Sequence, residues 1–184
     1  MALPSTLYTF RIDLADQDRD HYQQVKLKLP CHPSETVERL VVRALAWCLF
    51  DSAQLKAGPD LSDHSESPLF EANDTGEVTH RIELGEPDPQ RLKKASNRGT
   101  AVTVITYTPA AATWWKKQEG AVRPFRTVEV LAMPAETISA LADRLPRQVH
   151  WQVMISERTL FVSDDSGQTI EIPVTCWQDR ELPR

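Results

Sequence analysis

Val78-Thr79-His80-Arg81-Ile82-Glu83-Leu84-Gly85-Glu86-Pro87-Asp88-Pro89 is the stretch that decides the fold. Val78, His80, Ile82 and Leu84 alternate with Thr79, Arg81 and Glu83, the two-residue period of a strand with different faces. Gly85 and Pro87 end that strand. Asp88 then suits a helix N-cap and Pro89 the first helical position, where a missing N–H costs nothing. A strand that runs at once into a helix predicts a mixed α/β layer structure rather than an all-β or all-α one.

The flanks agree. Upstream, Asn73-Asp74-Thr75-Gly76 is a turn signal. Residues 51–72 are polar, contain Gly58-Pro59, and read as a long loop. Before them, Val37, Leu40, Val41, Ala44, Leu45 and Cys48 recur at helical spacing, with Pro33 at the first position and Glu35 at the positive end of the macrodipole. The segments 6–14 and 21–29 read as an antiparallel hairpin joined by the polar turn 16–20. Downstream, Ala101–Tyr107 has the β-branched composition of a central strand. A helix opens at Thr108-Pro109 and stops at Gly120, a strand covers 128–131, and a helix covers 134–145. The tail reads as a meander of strands over 149–155, 159–162 and 169–174. The expectation is one α/β (α+β) domain over residues 1–184, with a central mixed sheet flanked by helices.

Composition bounds the function. The chain has 184 residues, 41% hydrophobic and 26% charged, and a formal net charge of −5. That size buries one substantial core. The acidic balance argues against a passive, non-specific nucleic-acid binder, but less against a nuclease, whose metal cluster needs carboxylates. No run approaches the ~20 apolar residues of a membrane span, and Arg11, Asp13, Asp16 and Asp18 interrupt any secretory h-region, so a cytoplasmic protein is expected. Cys31, Cys48 and Cys176 form no C-x-x-C pair and read as reduced structural thiols.

Four pieces carry a family resemblance in order across the chain: Met1-Ala2-Leu3 running into a strand; His32-Pro33-Ser34-Glu35-Thr36-Val37-Glu38-Arg39 with Leu45-Ala46-Trp47; Ile82-Glu83-Leu84-Gly85 with Pro87-Asp88 and Arg91-Leu92-Lys93-Lys94-Ala95; and Val162-Ser163-Asp164-Asp165. On these pieces the chain resembles the YaeQ family of small bacterial proteins. The resemblance implies a fold similar to a variant of the PD-(D/E)XK metal-dependent nucleases, with a rearranged active-site pattern. It further implies Mg²⁺ or Mn²⁺ as cofactor and DNA or RNA as partner, since phosphodiester hydrolysis needs a cation to polarise the phosphoryl oxygen and activate water.

Within that resemblance Glu83 is the natural strand carboxylate, and Asp74, one hairpin upstream, the natural first acid. Two residues after Glu83, where such nucleases place a lysine, stands Gly85. Lys93 and Lys94 on the following helix can replace it. Helix phase, with Leu92, Ala95, Ser96 and Gly99 as the buried side, favours Lys93, while the family pattern runs through Lys94, so both stand. Glu38, on the flank of the first helix, is a third acid that burial would press to find a cation. Asp74, Glu83 and Glu38 are thus the expected metal ligands. Each also has a plainer role: turn former, ion-pair partner, helix surface. The rival reading is a binding or regulatory protein on a nuclease-like fold without chemistry.

Other signals are weaker. Pro59-Asp60 lies in the loop, and Asp63-His64-Ser65-Glu66 is a cluster that polar loops produce by chance. Trp114-Trp115 before Lys116-Lys117, with Arg123 and Arg126, has the ingredients of a stacking surface, although one tryptophan in the core is the simpler expectation. No H-E-x-x-H, P-loop or nucleophile elbow occurs.

Overall fold

The computed structural model describes residues 3–59 and 66–181. In chain order the elements are β1 (Thr6–Asp16), β2 (His21–Cys31), α1 (Val37–Phe50), β3 (Leu55–Ala57), β4 (Leu69–Ala72), β5 (Val78–Leu84), α2 (Pro89–Asn97), β6 (Ala101–Thr106), α3 (Ala111–Val122), β7 (Val128–Ala132), α4 (Ala135–Asp143), β8 (Gln148–Ser156), β9 (Thr159–Ser163), β10 (Thr169–Pro173) and β11 (Thr175–Gln178).

The expected single central sheet is two mixed sheets. The first has the order β10-β9-β8-β1-β2 and the second β11-β7-β6-β5-β4-β3. The N-terminal hairpin and the C-terminal meander meet through a parallel β1–β8 pairing that sets Phe10 opposite Val149 and Leu14 opposite Val153. In the second sheet β3, β4 and β5 are antiparallel neighbours, and β5, β6 and β7 run parallel. The stretch read as loop over 51–72 therefore contributes two short strands, β3 and β4. β11 was not expected and extends the second sheet beyond β7.

α1 lies between the sheets. Leu40, Val41, Ala44, Leu45 and Cys48 are fully buried and join Phe10, Ile12 and Leu27 of the first sheet to Ile82 and Ile105 of the second in one core. Such burial on every side needs a helix that is apolar around most of its circumference. α1 begins later than expected: Thr36 is its N-cap, accepting from the Arg39 N–H at 3.2 Å. Glu35 is consequently not a first-turn residue. Its buried carboxylate accepts from Arg39 Nη1 at 2.8 Å and lies 3.5 Å from Arg43 Nη1.

A second core covers the opposite face of the second sheet, where Leu92 of α2, Trp115 and Val122 of α3, and Val102, Val104, Val128 and Val130 pack together. Trp115 stacks on Trp177 with ring centroids 6.1 Å apart, so this tryptophan belongs to the core. α3 runs through Gly120 rather than stopping there. The layers are first sheet, α1 with α4, second sheet, α2 with α3. Among the described residues no helix is long and apolar enough to cross a membrane.

Candidate anion-binding cleft on the second sheet

β5 runs straight into α2, and this junction builds an open cleft. Ile82 points to the α1 core, so Thr79, Arg81 and Glu83 face α2. Gly85 closes the strand at φ +90°, a conformation that glycine adopts without steric cost. Asp88 then caps α2, accepting from the Gln90 N–H at 2.9 Å, with Pro89 at the first position as expected. The cleft, of about 680 Å³, is lined by Arg81 and Glu83 of β5, by Arg91, Lys94 and Ala95 of α2 and by Arg98 at its C-cap, together with Glu77 and Asp88. Arg91, Lys94 and Arg98 are three and four residues apart and share one helical stripe. Ala95 is small enough to leave the space open.

Glu83 is the buried acid of this wall, 7% exposed. Its Oε1 accepts from Ser67 Oγ at 2.5 Å and from Arg91 Nη2 at 3.1 Å. Arg91 also donates to the Glu66 carbonyl, at 3.0 Å, and Arg81 Nη1 lies 3.4 Å from Ser67 Oγ. The carboxylate is thus held by a hydroxyl and a guanidinium, with a second guanidinium close by.

The sequence-expected residues do not all converge here. Asp74 is exposed in the β4–β5 turn, where Asn73 accepts the turn's N–H donors. From Val78 to Glu83 the strand advances by roughly 16 Å, so Asp74 and Glu83 stand at opposite ends of β5. Glu38 is half-buried in the first turn of α1, across the second sheet from Glu83, where its charge complements the helix macrodipole. Lys93 and Lys94 are both exposed, and it is Lys94 that lines the cleft. Asp60, Asp63, His64 and Ser65 lie outside the described residues, as do Met1 and Ala2.

Among the described residues no three His, Cys, Asp or Glu side chains are grouped to hold a metal ion. Among the described residues of the cleft, two arginines near one buried acid are a poor setting for a hard cation, which takes several oxygen ligands. The described residues of the cleft do not fit the expected Mg²⁺ or Mn²⁺ site. Sequence reasoning missed Ser67, Arg81, Arg91 and Arg98 as members of the site. The 91/94/98 spacing was a readable signal; Ser67 carried none.

A second polar chain crosses the α1 face of the same sheet. His80 Nδ1 lies 3.1 Å from Glu71 Oε2, its Nε2 lies 2.9 Å from Thr103 Oγ1, and the threonine donates to Glu129 Oε1 at 2.8 Å. Burial lowers the His80 pKa, Arg180 lowers it further, and Glu71 opposes both. Its position inside the sheet and its pairing from strand to strand make it a structural network.

Comparison with known proteins agrees with this architecture throughout. Residues 1–173 match the profile of the YaeQ protein family. The chain is 32% identical over 179 residues to the uncharacterized YaeQ protein of Escherichia coli (strain K12), covering 97% of this chain and 98% of that one. The crystal structure of the YaeQ protein from Pseudomonas syringae superposes with a TM-score of 0.90 at 38% identity, covering 97% of this chain and 99% of that one. That from Xanthomonas axonopodis pv. citri gives a TM-score of 0.89 at 33% identity, covering 95% and 98%. Sequence profile, full-length relatives and solved structures coincide, and the chain belongs to the YaeQ family.

Proposed function

We propose that this protein binds nucleic acid through the α2–β5 cleft, on a nuclease-like fold, without a metal-dependent cutting step. The observation that carries the reading is the wall of Arg81, Arg91, Lys94 and Arg98 against the acids Glu77, Glu83 and Asp88, a local cationic excess on a chain whose net charge is −5. Guanidinium forks match phosphate oxygens in two contacts at once, and a groove concentrates their field. Glu83 and Ser67 orient Arg91 within this wall. The net negative charge of the whole chain limits sliding on arbitrary polyanions, which a uniformly basic protein cannot avoid. The nuclease-like part of the proposal is supported by the four sequence pieces quoted above and by a mixed sheet flanked by helices on both faces.

The test is fluorescence anisotropy with labelled DNA and RNA, single- and double-stranded, for the parent and for Arg81→Gln, Lys94→Met and Arg98→Gln. Binding that weakens in each variant and falls steeply with salt supports the reading. The same samples with Mn²⁺ on a gel report cleavage; cleavage lost in Glu83→Gln would replace the binding reading with the hydrolytic one.

A further inference from the structure

The outer face of the first sheet is uncovered by any described element, and its side chains are sorted in rows. Strand pairing aligns Tyr22 with Ala15, Ala15 with Met154, and Met154 with Phe161 across β2, β1, β8 and β9. Tyr22 is 60% exposed and Met154 36%, an aromatic and thioether row open to solvent. Two residues along each strand, Gln24, Asp13 and Gln152 form an amide-rich row. The next row aligns Lys26 with Arg11 and Arg11 with His150, and Lys28 follows on β2. Lys26, Lys28 and Arg11 are all exposed. Asp13, the acid of the middle row, is occupied: Gln24 donates to it at 3.1 Å, and His150 Nε2 lies 3.3 Å away. Asp165 lies 2.8 Å from His150 Nδ1, and the exposed Glu171 of β10 stands in register with Phe161 at the end of the aromatic row.

We propose that this face is a binding platform for single-stranded nucleic acid. It rests on the reading above only for the class of ligand, because the helix layer and the second sheet separate it from the cleft. Unpaired bases stack on aromatic rings carried by an open sheet, while nearby cations track the phosphates. Tyr22 and Phe161 are separated by three inter-strand spacings, about 14 Å, room for more than one stacked base. Gln24 and Gln152 lie between the ring row and the cation row, where amides reach base edges. Lysine on an edge strand also deters edge-to-edge pairing, but that role requires neither Arg11 on the inner strand nor an aromatic row in register with it. A duplex has no exposed ring faces for the sheet to stack on, which is why a single strand is the occupant the face fits.

The experiment is anisotropy with a fluorescein-labelled single strand of about 12 nucleotides, within the span such platforms cover. Tyr22→Ala, Lys26→Gln/Lys28→Gln and the cleft variant Lys94→Met/Arg98→Gln are compared with the parent. Tyr22→Ala is expected to raise Kd about tenfold, and the double lysine variant to reduce the salt slope by roughly 0.7 per charge removed. These residues are exposed, and unchanged thermal melts would confirm intact folding. Loss in the sheet variants alone supports this proposal and overturns the cleft reading; loss in both sets supports both. Loss in the cleft variant alone overturns this proposal and leaves the cleft reading standing. A parent that binds no single strand overturns it outright.

Discussion

Ser67 donates its hydroxyl to Glu83 at 2.5 Å, on the same carboxylate oxygen that accepts from Arg91 at 3.1 Å. The pair, with Arg91 as third member, makes Glu83 an anchor of the cleft wall. Glu83→Ala leaves Ser67 and one Arg91 donor without their acceptor. We expect a loss of about 1–3 kcal/mol, the ordinary penalty for stranding such groups, discounted because Arg91 is partly solvated. Urea denaturation checks this through a lower midpoint at unchanged slope.

The two lysines of α2 separate cleanly. Lys94 lines the cleft and Lys93 does not, although both are exposed. Lys94→Met is expected to weaken nucleic-acid binding several-fold and to flatten its salt dependence. Lys93→Met is expected to bind as the parent does, with stability within about 0.5 kcal/mol of it. Equal effects of the two substitutions in a titration would remove the cleft from the binding surface.

Divalent cations provide a separate check. A ligand that binds only the folded state raises Tm by mass action. With Arg81 and Arg91 at Glu83, millimolar Mg²⁺ or Mn²⁺ is expected to leave Tm where it was. A rise abolished by Glu83→Gln in differential scanning fluorimetry would place a cation at this carboxylate.

The pKa values of two histidines are shifted in opposite directions. His150 has Asp165 Oδ1 2.8 Å from Nδ1 and Asp13 Oδ2 3.3 Å from Nε2, and these carboxylates raise its pKa above the ordinary 6.5. Its stabilising contribution is full below about 6.5 and disappears as pH rises through the higher folded value. His80 is lowered by burial, then by Arg180. Its contribution is full above about 6.5 and is lost as pH falls to the lower folded value. An imidazole NMR titration should give a His150 midpoint above that of His80, and Asp165→Asn should move only His150 downward.

The local grammar of the chain was legible where short-range chemistry decides. Asp88-Pro89 opening α2 and the β1–β2 hairpin both follow from residues a few positions apart. The split into two sheets was not legible, because the β1–β8 pairing joins segments more than a hundred residues apart, and periodicity says nothing about which strands meet. The helix phase of α2 misplaced the lysines for a specific reason. Ser96 and Gly99 share the Leu92 side of the helical wheel, yet Ser96 is half-buried and Gly99 exposed. Removing them turns the open stripe towards Arg91, Lys94 and Arg98. Nine residues separate Asp74 from Glu83, a spacing that suits a short hairpin, but the extended strand β5 carries them apart.

The most direct test of the account is the dissociation constant of a labelled nucleic acid for the Arg81→Gln/Arg98→Gln variant against the parent, measured over a range of salt. The account predicts parental binding that weakens with salt, and a variant at least tenfold weaker at low salt with a shallower slope, as two lost phosphate contacts require. An unchanged constant and slope in a folded variant would contradict it.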